Sequence, residues 1–250
     1  MAEDPQPQHA APFPETADIE TSSDAYARRF SGSAGEWFLD VQQRLTLELM
    51  DGVTANTIVD VGGGHGQLAF PLCARGHSIT VVGSADSCRH RIAPLAAGGT
   101  CTFVVGNVID LPFEDQSFDT AISFRLVTHC TQWPNLIKEL CRVARHAVLV
   151  DYPTSQSLNC IAPALFGAKK KIETDTRHWA LFRHREIADV FAQNGFRITG
   201  VRKQFFLPMV MHRVLKSRRI SAFKEGIARS LGLTHRWGSP VILRAERGAA

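Results

Sequence analysis

The chain has 250 residues, of which 44% are hydrophobic and 21% charged, and its formal net charge is +4. This length predicts one domain with additions, and the apolar fraction is sufficient for a packed core. No apolar run approaches the roughly 18 residues of a membrane span, and no secretory signal is expected. The six cysteines form no C-x-x-C pair, which argues against a disulfide framework or zinc knuckle and predicts reduced thiols in the cytoplasm.

The charges are distributed unevenly along the chain. Residues 1–27 hold six acidic side chains and no Lys or Arg, whereas residues 196–250 hold twelve Lys and Arg against Glu225 and Glu246. Such asymmetry is typical of a protein with an anionic partner at one end. A solvated basic face without a partner is the equal alternative.

The N-terminal fifth of the chain divides into a tail and a helical region. Residues 1–20 are Pro-rich and acidic with few large apolar side chains, which predicts a disordered tail. A single domain then spans 21–250. Its first part, 21–50, is predicted to form two helices, because apolar residues at 38, 41, 45 and 49 follow a helical stripe.

From Thr57 onward, strand and helix patterns alternate, which predicts a parallel sheet with helices on both faces. Strands are predicted near 57–62, 78–83, 101–105, 118–124 and 147–152. Helices are predicted near 66–75, 87–97, 134–144 and 184–194. Two last strands, at 196–206 and 239–247, flank an insert of basic and apolar residues at 207–238.

A glycine-rich turn follows the first predicted strand. Asp60 precedes glycines at 62, 64 and 66. Glycine permits positive φ angles and a close approach of the ligand to backbone N–H groups, so the turn predicts a nucleotide-like cofactor. The spacing differs from the G-x-G-x-x-G of dinucleotide sites. An acid two residues before the first glycine suits an ammonium group better than a pyrophosphate, which favours S-adenosylmethionine.

Two later strand ends support this choice of cofactor. Asp86 follows the second strand, where a carboxylate can accept hydrogen bonds from both ribose hydroxyls. Asn107 and Val108 follow the third strand. They offer a side-chain amide for an adenine edge and an apolar neighbour.

With these motifs the chain resembles the class I S-adenosylmethionine-dependent methyltransferases, and within them the small-molecule group that includes ubiquinone and menaquinone biosynthesis enzymes. The resemblance covers roughly residues 24–205 and rests on the motifs at 59–66, 106–113 and 117–119 and on the helix before 148–151. It implies an α/β, Rossmann-like fold with a mostly parallel seven-stranded sheet whose last strand is antiparallel.

The same resemblance extends the set of expected cofactor contacts. It implies that residues 21–50 act as a helical lid, with Tyr26 near the cofactor, and that Phe124 contacts the cofactor after strand four. One departure concerns the ribose. The family usually has an acid at the position of Ala85, so Asp86 serves only if the strand end shifts by one residue.

Catalytic residues are harder to predict, because methyl transfer mainly requires alignment of an activated donor with a nucleophile. His129, after strand four, is a candidate base, or else a packed histidine beside the cofactor pocket. Asp151, at the end of strand five, orients a substrate or merely ends the strand. No residues near His129 complete a metal-ligand set, so no metal is expected.

The acceptor is expected to be a small molecule, with an anionic or membrane-proximal substrate as one form. Residues 169–171 and 178–179 follow strand five, and in this family that segment commonly lines the acceptor pocket. The motif of amino-group methyltransferases is absent after strand four, so DNA is not expected. The alternatives are an RNA methyltransferase that uses the basic C-terminal third and a non-catalytic cofactor-binding subunit.

Overall fold

The computed structural model describes residues 13–158 and 179–248. Within them, seven strands form one sheet in the order β3-β2-β1-β4-β5-β7-β6. Strands β1 to β5 are parallel to one another, and β7 is antiparallel to both β5 and β6. The strands are β1 Thr57–Val61, β2 Ser78–Gly83, β3 Cys101–Val105, β4 Phe118–Ser123, β5 Ala144–Tyr152, β6 Phe196–Phe205 and β7 Ser239–Arg247.

The helices cover the two faces and the carboxyl edge of the sheet. They are α1 Ala17–Thr21, α2 Asp24–Ala27, α3 Gly32–Met50, α4 Ala69–Cys73, α5 Ala93–Ala97, α6 Trp133–Val143, α7 His184–Gln193, α8 Met209–Leu215, α9 Arg218–Ser230 and α10 Leu233–Trp237. Four 3-10 segments accompany them, at Arg28–Phe30, Gly63–His65, Asp86–Ile92 and Val127–His129. The predicted fold class is confirmed.

Side chains that point alternately to the two faces of the sheet form two hydrophobic cores, one on each face. In β1, Ile58 points to the face covered by α3, whereas Val59 and Val61 point to the face covered by α6 and α7. In β5, Leu149 lies on the α3 side. Because successive strand side chains point to opposite faces, continuous apolar strands supply both cores, as expected of a sheet buried on both sides.

The N-terminal region differs from the sequence prediction at its first boundary, whereas its last helix ends at Met50 as predicted. The disordered tail was predicted over 1–20, whereas α1 begins at Ala17 because Asp18 is held by the end of β2; residues 1–12 lie outside the described residues. Within 21–50, α3 packs its apolar stripe on the sheet as a core helix. Helix α3 also reaches the glycine turn, since the Gln67 side chain donates to the Leu39 carbonyl at 3.3 Å.

Candidate active site

The glycine turn lies at the carboxyl edge of the sheet, between β1 and α4. Gly62 and Gly66 both adopt left-handed backbone conformations, with φ of +76° and +77°. The Gly62 N–H donates to the Val82 carbonyl at 2.8 Å, which ties the turn to β2. Helix α4 consequently begins at Ala69, later than the predicted 66, since residues 63–65 form a tight 3-10 turn.

The Asp60 carboxylate lies directly beneath this turn. A Cβ atom at Gly63 would stand 2.1 Å from the Asp60 carboxylate, so this position requires glycine for space. Gly63 was not among the glycines singled out from the sequence. The reason is that the close approach comes from the fold of the turn onto the strand end and not from a spacing pattern.

Asp60 is fully buried, and neither of its carboxylate oxygens has a hydrogen-bond partner among the described residues. Burial raises its pKa to about 7, against the opposing charge of Arg125. A buried carboxylate without partners is costly, and an ammonium group would satisfy it. The amino group of S-adenosylmethionine has this chemistry, so the turn fits the cofactor predicted from the sequence.

At the end of β2 the structure places a carboxylate that the sequence did not predict. Asp18 of α1 is buried, and its Oδ2 accepts from the Ser84 N–H at 2.6 Å and from the Cys88 thiol at 3.3 Å. Its Oδ1 accepts from the Ser84 hydroxyl. Asp18 therefore lies at the strand end where the family usually carries an acid and this chain has Ala85.

Asp86, unlike Asp18, has an exposed side chain. Its side chain is 72% exposed and forms an ion pair with Arg89 at 3.3 Å. The ribose role of Asp86 stays a prediction, and the strand end to which it was assigned is contacted by Asp18 instead.

Glu15 and Ser22 provide further contacts between the N-terminal segment and the carboxyl edge of the sheet. The Glu15 carboxylate accepts from the Gln132 N–H at 2.8 Å and from the Thr131 hydroxyl. The Ser22 hydroxyl stands 2.5 Å from where a Cβ of Gly64 would be. We call residues 15–22 the N-terminal clasp, because they join the glycine turn, the end of β2 and the start of α6.

We expect Asp18→Ala to release the N-terminal clasp. The change leaves the buried Ser84 N–H without a partner, which costs about 1–3 kcal/mol and acts locally. Hydrogen exchange followed by mass spectrometry should show faster exchange over residues 13–27 and over the glycine turn. Glu20→Gln, on the exposed side of the same helix, serves as the control. Unchanged exchange in Asp18→Ala would contradict a clasping role.

The third strand end carries the predicted adenine contacts. Asn107 uses its Oδ1 to accept the Ile109 N–H at 3.2 Å, and Val108 beside it is fully buried. With Oδ1 engaged, the side-chain amide N–H groups are the part of Asn107 suited to an adenine edge. This role stays a prediction.

Arg125, which the sequence analysis did not single out, lies at the centre of the next cluster. It has a left-handed backbone, with φ of +59°, a rare conformation for a non-glycine residue that is concentrated at functional sites. Its guanidinium lies 5.6 Å from the ring centre of Tyr26 and 4.9 Å from that of Phe30. Tyr26 is buried, and burial raises the pKa of its hydroxyl.

Asp151 holds this cluster in place. Its Oδ1 accepts from the Arg125 N–H at 2.6 Å, and its Oδ2 accepts from the Gln42 amide at 2.7 Å. Burial raises the pKa of Asp151 to about 6, although these donors oppose the shift. The carboxylate thus links β5, the turn after β4 and α3. This is a positioning arrangement, and a direct catalytic role for Asp151 stays a prediction.

The remaining predicted site residues differ from one another in burial. Phe124 is fully buried in the apolar cluster on the α3 face. His129 is partly buried and ends the 3-10 turn that follows β4. The predicted acceptor residues 169–171 and 178 lie outside the described residues, whereas Trp179 is 55% exposed. Over 13–158 and 179–248, no group of three His, Cys, Asp or Glu side chains is placed to hold a metal ion.

Residues 59–149, which contain the glycine turn, β2 to β4 and most of β5, match the family model described as a methyltransferase domain. Over this third of its length the chain is similar to methyltransferase domains. A methyltransferase structure on which the chain superposes holds S-adenosylmethionine, in agreement with the buried Asp60 beneath the turn.

Three known proteins illustrate the similarity of this methyltransferase domain to others. An uncharacterized methyltransferase of Mycobacterium marinum is 34% identical over 95 residues, which are 38% of this chain and 37% of that protein. O-methyltransferase rstn1 of Aspergillus nomiae is 30% identical over 113 residues, covering 41% and 49%. The crystal structure of magnesium protoporphyrin IX methyltransferase from Synechocystis, with bound SAH, superposes with a TM-score of 0.63.

The curated relatives are matched over only part of their length. The matched stretch spans well under two thirds of the length of the curated relatives. The Synechocystis structure shares 16% identity, with 93% of this chain and 98% of that chain covered, and it confirms the fold.

Proposed function

We propose that the protein transfers the methyl group of S-adenosylmethionine to a small organic acceptor of aromatic or amphiphilic character. The observation that carries the proposal is Asp60, a fully buried carboxylate whose two oxygens have no partner among the described residues. It lies under a glycine turn at the carboxyl edge of a parallel sheet, where ligands bind in open α/β folds.

The bound cofactor supplies a methyl group already activated on a sulfonium, so the chain's own residues mainly bind and orient. Asp60 would hold the amino group, and Asn107 with Val108 would hold the adenine. Asp151 fixes the backbone of Arg125 and thereby the position of its guanidinium against Tyr26. A base is required only if the acceptor loses a proton, and His129 is the candidate for that role.

An aromatic or amphiphilic acceptor is supported by the Arg125 cluster. A guanidinium flanked by the rings of Tyr26 and Phe30 joins a cation to apolar faces, which suits an acceptor with both kinds of surface. The Aspergillus protein is an O-methyltransferase and the Synechocystis protein a magnesium protoporphyrin methyltransferase, and both names agree with a small organic acceptor. The predicted cytoplasmic location agrees with five unpaired cysteines among the described residues.

The test has two stages. Calorimetry first measures binding of S-adenosylmethionine to the full chain, with Asp60→Asn as the matched control. Methyl-labelled cofactor is then incubated with the protein and a metabolite extract, and labelled products are identified by mass spectrometry. We expect a labelled small molecule that is missing with Asp60→Asn. Label found only in added RNA would establish the RNA alternative, and binding without any labelled product would establish a non-catalytic subunit.

A further inference from the structure

Helix α9 (Arg218–Ser230) has its large apolar side chains on the outside. Four of them are strongly exposed: Ile220 at 47%, Phe223 at 70%, Ile227 at 46% and Leu231, just past the helix end, at 67%. Their spacing of three, four and four residues places them on one stripe, since a helix turns roughly 100° per residue.

The inward face of the same helix is small and polar. Its buried residues are Ser221, Glu225 and Ala228. Glu225 accepts the N–H groups of Phe206 and Leu207, each at 2.8 Å, and contacts the buried His212 at 3.0 Å. A helix of a globular protein normally turns its apolar stripe to the core. Here polar contacts hold the helix on the body and leave the apolar stripe to solvent.

Cations border the apolar stripe on both sides. Arg219 and Lys224 are exposed, and at the helical pitch they fall on opposite edges of it. The insert 207–238 holds seven Lys and Arg against one acid, Glu225, which is buried. Every formal charge that this insert exposes is therefore positive.

We propose that the outer face of α9, with Arg219 and Lys224, docks the protein on an anionic lipid surface. An apolar stripe between basic side chains is the pattern of helices that lie in the interface plane of a bilayer. Each Lys or Arg near an anionic membrane adds about 1 kcal/mol of attraction. No helix in the described part of the chain is long and apolar enough to cross a membrane, and a helix lying in the membrane surface needs no such span.

Lipid explains the surface better than nucleic acid does. Single-stranded nucleic acid is bound by aromatic platforms on which bases stack. The stripe holds one aromatic ring, Phe223, among three aliphatic side chains. Aliphatic side chains gain by entering the acyl region, where burial of apolar area is favourable.

The experiment is flotation of the full chain with vesicles of phosphatidylcholine, alone or with phosphatidylglycerol. The wild-type chain should float with the anionic vesicles, weakly or not at all with the neutral ones, and less as salt rises. Phe223→Ser with Ile227→Ser, and separately Arg219→Glu with Lys224→Glu, should each lower the bound fraction by at least about tenfold. Phe223→Leu should keep most of the binding.

Lys138→Glu with Arg185→Glu, a charge reversal at exposed sites on other helices, is the matched control and should retain binding. Unchanged S-adenosylmethionine affinity by calorimetry shows that each variant is folded, independently of lipid. The proposal is overturned if anionic vesicles are not bound, or if the α9 variants bind like wild type. It is equally overturned if the stripe variants abolish only a dimer or only RNA binding.

Discussion

Replacing Asp60 by asparagine is expected to weaken S-adenosylmethionine binding by at least about 30-fold, because the loss of one partner of a buried charge pair costs about 2–5 kcal/mol. The substitution keeps the shape of the side chain beneath Gly63, so the turn should remain folded. Calorimetry of the purified variant measures the effect. Asp51→Asn, an exposed acid at the end of α3, is the control. Retained affinity in Asp60→Asn would refute the role of Asp60 in holding the amino group, and absence of binding by the wild-type chain would refute the cofactor assignment.

The same variant should change the pH dependence of stability in the cofactor-free protein. Burial raises the pKa of Asp60 from its usual 3.8 to about 7, so the folded state binds this proton more tightly than the unfolded state. The contribution of Asp60 to the free energy of unfolding is therefore fully present below about pH 4 and is lost as the pH rises to about 7. Asp60→Asn should remove that loss and raise Tm at pH 8, while wild-type and variant Tm should converge near pH 4.

Cofactor binding should follow the opposite course with pH. The ammonium group pairs with the ionised carboxylate, so wild-type affinity should rise as Asp60 deprotonates through about pH 7. Below that pH, binding should be accompanied by proton release, which calorimetry in buffers of different ionisation enthalpy detects. An affinity independent of pH between 5 and 8 would show that Asp60 is already ionised before the cofactor arrives.

The second large effect is expected for Gly63→Ala. The added Cβ would stand 2.1 Å from the Asp60 carboxylate, and the strand and the turn must separate to admit it. We expect a loss of about 1–3 kcal/mol in the free energy of unfolding, as in other overpacked sites, with S-adenosylmethionine binding lost as well. Thermal unfolding and calorimetry measure the two effects.

Gly226→Ala provides a control with the opposite sign. Gly226 lies within α9, and apart from its chain neighbours and the backbone of its own helix no atom lies within 4 Å of its would-be Cβ, so the same change should stabilise the helix by about 0.5–1 kcal/mol. The double variant Asp60→Ala with Gly63→Ala removes the carboxylate that the new methyl group meets. It should regain stability without regaining cofactor affinity. Wild-type Tm in Gly63→Ala alone would show that the turn has room that the structure does not indicate.

Local pattern was sufficient for the sheet and for the glycine turn. Strands β1 to β4 begin and end within one residue of their predicted limits. The reason is that each is a run of apolar, largely β-branched residues that favour a strand, bounded by residues that favour a turn. The position of Asp60 before Gly62 also follows from neighbours in sequence. These features depend on the backbone preferences of a few neighbouring residues, and those preferences can be read directly from the sequence.

Contacts between distant segments were decided by the tertiary structure. Asp18 meets Ser84 across 66 residues, and Gln42 meets Asp151 across 109. Neither pair has a spacing that a periodicity can detect, since both arise only when the N-terminal helices fold over the sheet edge. For this reason residues 17–20 were predicted as tail, and the acid expected at Ala85 was sought at Asp86 and not at Asp18.

The sequence by itself determined the fold class, the cofactor turn and the basic, apolar character of the insert 207–238. It did not determine which way that insert faces. The hydrogen bonds of Glu225 to Phe206 and Leu207 turn the polar side of α9 inward, and Phe223 is thereby left in solvent. The physical reason is that an amphipathic helix specifies two faces by its periodicity, whereas only its partners decide which face is buried.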